Sequence, residues 1–424
     1  MAARTRPSAG AREARAQIRP DRASRASRAP GAAPDAARPR RACHLITRLI
    51  DGGAQRLALE TAAHLATHGW DVELWAGAET GPEGSLWEEA AARGIVAREV
   101  PALVRAAAPV RDARALVWLA RAFRRERFDL VHTHSSKAGV LGRLAAARAG
   151  VTLRVHTQHG WSVTPRTPLL ARGIYLSLER VAARRSQRVI AVSEAVRDAG
   201  LAWGVGRPAQ YRVIHGAVAL GPEAAPEARA RLRRELDIPE GALVLGTLGR
   251  LDHAKDPLGC WAALRPLLES DARAWAVFLG DGPLRASLAR EIGRSRCAER
   301  VRLAGHRPRA ARLLPALDLF FLGSRWEGFP LALLEAMACA LPVVAYRVAG
   351  VGEAVTDGEN GRLAEPGDRE GWSAAVRELA GSAEERARLG SAARASVASR
   401  FRLEAMLAET VALYEELWDE GPAG

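Results

Sequence analysis

The sequence predicts an α/β protein built from two doubly wound parallel sheets that face one another across a cleft. Three observations carry that expectation. Short apolar runs alternate with helix-length spacers, the pattern occurs twice, and a stretch rich in Gly, Pro and Ala separates the two series. The 424 residues suit two domains, at about 100 to 200 residues each. Hydrophobic residues at 48% and charged residues at 26% fit a globular chain with a sizeable core.

Residues 1–41 precede the pattern. They hold eleven Arg against three acids and few large apolar residues, too little surface to offset their ordering entropy. A disordered tail is predicted, with a transit peptide as the other reading. An N-terminal domain, residues 42–217, follows with the runs CHLIT (43–47), VELWA (72–76), DLVHTH (129–134), LRVHTQ (153–158), RVIAVS (188–193) and YRVIHG (211–216). Residues 218–227 form the linker. The C-terminal domain, residues 228–400, runs through ALVLGTLGR (242–250), AWAVFLGDG (274–282), RVRLAG (300–305), LDLFFLGS (317–324) and LPVVAY (341–346). A last helical pattern over 401–418 keeps Leu403, Met406, Leu407, Val411, Leu413 and Leu417 near helical spacing. It either closes the second domain or crosses back onto the first.

The formal charge is +14, of which residues 1–41 carry +8, so a nucleic-acid partner is not predicted for the folded part. Cys43, Cys260, Cys297 and Cys339 lie far apart with no Cys-x-x-Cys pair, which predicts reduced thiols and a cytoplasmic setting. No apolar run approaches the ~18 to 20 residues that cross a bilayer, so any membrane contact is peripheral. RDARALVWLARAFRRER (111–127) has six Arg, with Leu116, Leu119 and Phe123 on one face. It reads equally as a helix lying on an anionic membrane, at the inner face of the plasma membrane, or as a sheet-covering helix with a solvated basic face.

The chemistry concentrates in SRWEGFPLALLEAMACALPVVA (324–345). Glu327 follows a strand, Gly328 lets backbone approach a ligand, and Pro330 suits the first turn of the helix that carries Glu335. The free amides of that turn form an anion site fit for a diphosphate. In GTLGRLDHAKDP (246–257), Arg250 and Lys255 place two cations in the loop after a strand, where they would hold a diphosphate and its developing charge. The chain has only two lysines, at 137 and 255, among 62 basic residues. A compact ammonium has been kept at this spot.

The Glu327 to Glu335 segment resembles the Glu-x7-Glu signature of glycosyltransferase family 4. The likeness runs from about residue 42 to 400 and is strongest over 246–368. It implies the GT-B fold, two Rossmann-like domains, and metal-independent sugar transfer with retention from a nucleotide diphosphate donor (UDP- or GDP-sugar), with no cofactor. The acceptor it implies is a glycan or polyprenyl-linked glycan, as in polysaccharide assembly. By resemblance Glu327 contacts the donor sugar and Glu335 the ribose, with Gly328, Phe329, Pro330 and Leu331 at the diphosphate. Gly280 and Gly282 in GDGP, and His306 and Arg307 in LAGHRP, line the nucleoside base. Gly52 and Gly53 close over the donor phosphates, and His159 of the His159-Gly160 pair hydrogen-bonds the donor sugar. AGVGE (349–353) and DGENGRLAEPGD (357–368) resemble the family's closing segments. The absence of an Asp-x-Asp motif agrees with transfer that needs no metal.

His132, His134 and Lys137 are acceptor-side candidates, or else cap their strands. Zinc on His132, His134, His156 and His159 is the weaker reading, because no carboxylate partners them in sequence. The chain departs from the family pattern at His215, where Asn-Gly is usual. A GT-B nucleotide-sugar epimerase or hydrolase is the neighbouring alternative, and a non-catalytic membrane or nucleic-acid binding protein the more distant one.

Overall fold

The computed structural model describes residues 38–81, 83–221 and 225–421. Most of the predicted tail, residues 1–37, lies outside the described residues. Its last residues belong to the fold. Arg41 opens strand β1 (Arg41–Arg48) and bridges Asp71 and Glu73 at 2.9 Å each. Arg38 pairs with Asp129 at 2.7 Å, and Arg40 pairs with Glu415 and lies over the Trp418 ring. Acids at the starts of neighbouring strands and Glu415 of the last helix thus take up these arginines, and the folded domain begins before residue 42.

The N-terminal sheet adds β2 (Asp71–Gly77), β3 (Val96–Glu99), β4 (Leu130–His134), β5 (Leu153–Gln158), β6 (Arg188–Ala191) and β7 (Tyr211–Val213). All pair in parallel, in the order β3-β2-β1-β4-β5-β6-β7. Between them run α1 (Gly53–Thr67), α2 (Trp87–Ala92), α3 (Pro109–Glu126), α4 (Ser136–Ala149), α5 (Leu169–Ala183) and α6 (Glu194–Ala202). Helices cover both faces, so central strands are buried on both sides; every residue of β4, including His132 and His134, is buried. The sequence patterns did not reveal β3, an edge strand whose VARE has no buried residue.

After α7 (Pro226–Glu235) the second sheet contains β8 (Leu243–Leu248), β9 (Ala274–Leu279), β10 (Val301–Gly305), β11 (Leu319–Leu322), β12 (Val343–Tyr346) and β13 (Arg362–Ala364). They too are parallel, in the order β10-β9-β8-β11-β12-β13. Its helices are α8 (Pro257–Ser270), α9 (Arg285–Gly293), α10 (Leu331–Ala338), α11 (Val351–Ala354), α12 (Arg369–Gly381) and α13 (Ala383–Arg400). Strand order reverses beside β1 in one sheet and beside β8 in the other. Ligands of doubly wound sheets bind beyond the strand ends at those switch points, and the two face each other.

The last helix, α14 (Leu403–Glu420), packs on the N-terminal domain: Val411, Leu413, Tyr414 and Leu417 share a core with Ala42, Leu65, Trp70 and Leu153. The chain crosses between the domains where Val218 and Phe401 meet, with Val218 N donating to the Phe401 carbonyl at 3.1 Å and Leu403 N to the Val218 carbonyl at 3.0 Å. On α3, Leu119 and Phe123 are buried against Trp75 and Phe128, so its apolar face is taken up by the domain core. Among the described residues no helix is long and apolar enough to cross a membrane.

Candidate active site

The cleft cavity, about 540 Å³, is lined from the C-terminal domain by Arg250, Lys255, Glu327 and Glu335 and from the N-terminal domain by Gly52, Gly53 and His159. Elements far apart in sequence deliver them. Glu327 stands in the loop between β11 and α10, where Ser324 Oγ donates to its carboxylate at 2.6 Å and Lys255 Nζ forms an ion pair with it. Lys255 is presented by a turn in which Asp252 Oδ1 accepts from the amides of Ala254 (3.0 Å) and Lys255 (3.3 Å). Pro330 is the N-cap of α10 rather than a residue of its first turn.

Arg250 reaches across the cleft to Glu83, 3.3 Å away. Arg250 Nε and Glu83 Oε2 are both buried without a hydrogen-bond partner among the described residues. Both residues line the cavity, and unpaired polar atoms of opposite kind in its wall suit a ligand that carries both donors and acceptors. Gly280 adopts φ +139, and a Cβ there would lie 1.9 Å from the Gly249 carbonyl oxygen, so it lets the β9 loop lie on the Arg250 loop. Gly282 makes a like approach to Leu251. His306 faces Gly84, and Arg307 is exposed at the rim, where its Nε donates to the Ala304 carbonyl.

Gly328 touches the N-terminal domain: a Cβ there would sit 2.0 Å from the His159 carbonyl oxygen. Ser193 Oγ donates to the Gly328 carbonyl at 3.0 Å. Leu331 packs on Gly53 and Gly216, and the buried Phe329 ring lies between His215 and Phe401. His215, the departure from the family pattern, bonds Glu353 at 2.9 Å. Glu353 also accepts from the Glu194 and Ala195 amides at the start of α6. Burial works against ionisation of Glu353, yet the His215 ring and these amides hold it below the usual carboxylate range. It is a charged clasp between the domains.

Behind His159 lies a file of histidines. His159 Nε2 is 3.1 Å from His134 Nδ1, and His134 Nε2 is 3.2 Å from His44 Nδ1. Burial lowers His44 to about 3 and His159 to about 4, and drives His134 well below its ordinary value, so all three are neutral at pH 7. A neutral ring has one N–H and one lone pair, so two tautomer sequences satisfy both contacts. One leaves an N–H on His44 Nε2, which is buried and unpartnered. The other runs His44 Nδ1–H to His134 and His134 Nδ1–H to His159, leaving His159 Nδ1–H for the cleft. A buried orphan N–H is rarer than an orphan lone pair, so the second is assigned. His134→Leu is therefore expected to lower kcat on the order of tenfold with little change in donor KM, because the ring of His159 loses its fixed tautomer. Steady-state kinetics beside a melting curve check this, and an unchanged kcat contradicts it.

His132 is also fully engaged, with Nδ1 on Tyr414 Oη at 2.5 Å and Nε2 on Thr157 Oγ1 at 2.7 Å. His132 and His134 are thus inside the sheet, and Lys137 is tied to Asp112 at 2.7 Å and to the Ala106 carbonyl. The structure gives these three acceptor-side candidates protein partners, with His132 and His134 buried and Lys137 partly exposed. One nitrogen each of His44, His132 and His134 falls within 4.8 Å of the others, and hydrogen bonds within the file, to Tyr414 and to Thr157 engage every ring nitrogen of the three except His44 Nε2.

Glu335 is partly buried in the cleft wall; burial pushes its carboxyl up to about 7, Arg56 lowers it and Asp51 raises it. Because the folded-state value exceeds the ordinary 4.5, the native state holds the proton longer, and this group's stability contribution is lost as pH rises from 4.5 through 7. Glu335→Gln is expected to flatten that decline, read as melting temperature against pH for both proteins. Sequence reading missed Asp51, Arg56, Glu83 and His44. Only Asp51, beside Gly52, carried a local signal.

Two family models divide the chain: "Glycosyltransferase Family 4" matches residues 51–221 and "Glycosyl transferases group 1" matches residues 228–396. An Escherichia coli protein, UDP-Gal:alpha-D-GlcNAc-diphosphoundecaprenol alpha-1,3-galactosyltransferase, is 31% identical over 302 residues, covering 70% of this chain and 77% of that one. The chain belongs to glycosyltransferase family 4. A second relative of this family 4 enzyme is the D-inositol 3-phosphate glycosyltransferase of Streptomyces griseus, 30% identical over 386 residues, or 82% of this chain and 81% of that one. The fold matches that of Anabaena HepE in complex with UDP and glucose, with a TM-score of 0.77, 21% identity, and 89% of this chain and all of that chain covered. The two parallel-sheet domains have the GT-B arrangement, and the protein is a glycosyltransferase.

Proposed function

We propose that this family 4 enzyme moves a sugar, with retention and without a metal, from a UDP- or GDP-sugar to a glycan or lipid-linked glycan at the cytoplasmic face of the membrane. The observation that carries the reading is the meeting of Arg250, Lys255 and Glu327 from one domain with His159 from the other in a single cavity. Arg250 and Lys255 bring two cations to the cavity, able to neutralise a diphosphate in place of a metal, which supports metal independence. The donor reading draws on the UDP in the HepE complex and in the name of the Escherichia coli relative. That relative's name also includes a diphosphoundecaprenol acceptor, which supports a lipid-linked one here.

In the proposed step the bond from the anomeric carbon to the diphosphate oxygen breaks, with Arg250 and Lys255 holding the charge. The acceptor hydroxyl attacks from the same face and its proton passes to the departing phosphate oxygen. His159 Nδ1–H steadies a sugar hydroxyl, and Glu327 accepts from another. The test is transfer from a panel of UDP- and GDP-sugars to a short-chain polyprenyl diphosphate sugar in excess EDTA, with proton NMR of the new linkage. A product with the donor's own anomeric configuration is expected. An inverted linkage, strict metal dependence, or release of an altered free sugar nucleotide without acceptor would overturn the reading.

A further inference from the structure

A helix that covers a sheet normally turns its apolar stripe inward and a polar one outward. Helix α5 is apolar on both. Its inner side buries Leu176, Ala182, Ala183 and Glu179, and Glu179 is fixed to Arg143 of α4 at 2.5 Å. The opposite side carries Leu170, Ile174, Leu178 and Val181, at helical spacing along one stripe. They are 80, 52, 44 and 46% exposed, and Leu169 beside them is 84% exposed. Among the described residues the exposed large hydrophobic side chains all fall on α3 and α5, and most are on α5.

The surroundings are basic. Helices α3, α4 and α5 lie side by side and carry ten Arg and Lys against three acids. Those acids are taken: Asp112 by Lys137, Glu126 by Arg98 and Glu179 by Arg143. Arg184 and Arg185 are exposed at the end of the apolar stripe, and Arg180 is exposed beside it with its Nε donating to the Trp203 carbonyl, while Arg172 follows the spacing of the buried Leu176 and Glu179 and lies over the Trp203 ring. An apolar stripe flanked by guanidinium groups, on a basic set of helices, matches an anionic lipid surface, with the apolar side chains at the acyl boundary and the cations among the headgroup phosphates.

We propose that the outer face of α5 seats the protein on an anionic lipid monolayer. The inference rests on the lipid-linked acceptor proposed above and deepens it, because the chain leaves His159 in the cleft and one loop, residues 160–168, leads it into α5. A sugar diphosphate borne on a lipid is thereby offered at the edge of the site. The expectation that a membrane-facing helix lies at 111–127 shifts to α5, since α3 spends its apolar face on the core.

The test is flotation of the full-length protein with vesicles of phosphatidylglycerol and phosphatidylethanolamine, and with phosphatidylcholine alone. It is run at about 0.5 M salt, where long-range attraction by the arginines of residues 1–41 is screened. The variants are Leu170→Glu/Ile174→Glu/Leu178→Glu and, as control, Val117→Glu on α3. Wild type and control should float with the anionic vesicles and stay behind with phosphatidylcholine, while the triple variant binds about tenfold less or weaker still. All should transfer equally to a water-soluble short-chain acceptor. The proposal is overturned if wild type stays in solution, if the triple variant floats like wild type, if Val117→Glu loses binding as fully, or if the stripe instead holds together a dimer that the triple variant splits. Failure of wild type in the soluble-acceptor assay would strike the proposed function, while flotation would still decide the fate of this surface.

Discussion

Lys255→Ala is expected to lower kcat for sugar transfer by about 10² to 10³-fold, the loss that follows removal of one fixed donor to a developing negative charge. Its ammonium lies in the cleft, held by Glu327 and close over Gly249, with no other lysine in the C-terminal domain. Water cannot replace a cation positioned before reaction begins. Glu327→Ala should do comparable harm by a second route, since it removes the proposed sugar contact and frees Lys255 from its place. Both side chains are partly buried at the cleft rather than in the core, so melting temperatures should stay near wild type. Single-turnover kinetics at saturating donor check the expectation, and near-normal turnover in either variant contradicts the assigned roles.

Gly328→Ala should lower kcat/KM by about a hundredfold, the order expected when reacting groups are displaced by an ångström. Gly328 does not need glycine for its backbone angle; it needs the space. The added Cβ would meet the His159 carbonyl oxygen at 2.0 Å and the Gly160 Cα at 3.1 Å, and backbone cannot swing aside as a long side chain can. Relief comes only by parting the two domains. That separates His159 from Glu327 and breaks the Ser193 to Gly328 bond. The damage falls on the contact between domains, so each should fold as before. Activity close to wild type would show that the closed contact is not the working one.

What the sequence revealed and what it hid follow from how far apart the interacting parts lie. Glu327, Gly328, Pro330 and Glu335 were legible because a loop, a helix start and two acids occur within one short string. Lys255 stood out against a background of arginine. Both sheets were legible because buried parallel strands carry runs of apolar residues, while β3, half exposed at the edge, was not. Glu83 sits in an ordinary turn and gains meaning only when the fold brings Arg250 to it from the other domain. His44 lies inside an apolar strand, and nothing local says that its ring continues the line from His159. For α5 the difficulty was of another kind: LLARGIYLSLERVAA is apolar around much of its circumference, so periodicity cannot say which stripe faces the sheet. The buried Glu179 decides it, and its partner Arg143 is remote in sequence.

The central claim is that the cleft between the two sheets is built for a nucleoside diphosphate sugar held by side chains alone. The most direct measurement is a thermal-shift screen of UDP- and GDP-sugars in EDTA, on wild type and Lys255→Ala. A ligand that binds only the folded state raises its melting temperature. One nucleotide series is expected to stabilise wild type by several degrees, with the shift largely lost in Lys255→Ala. No shift with any nucleotide sugar, or an equal shift in the variant, would contradict it.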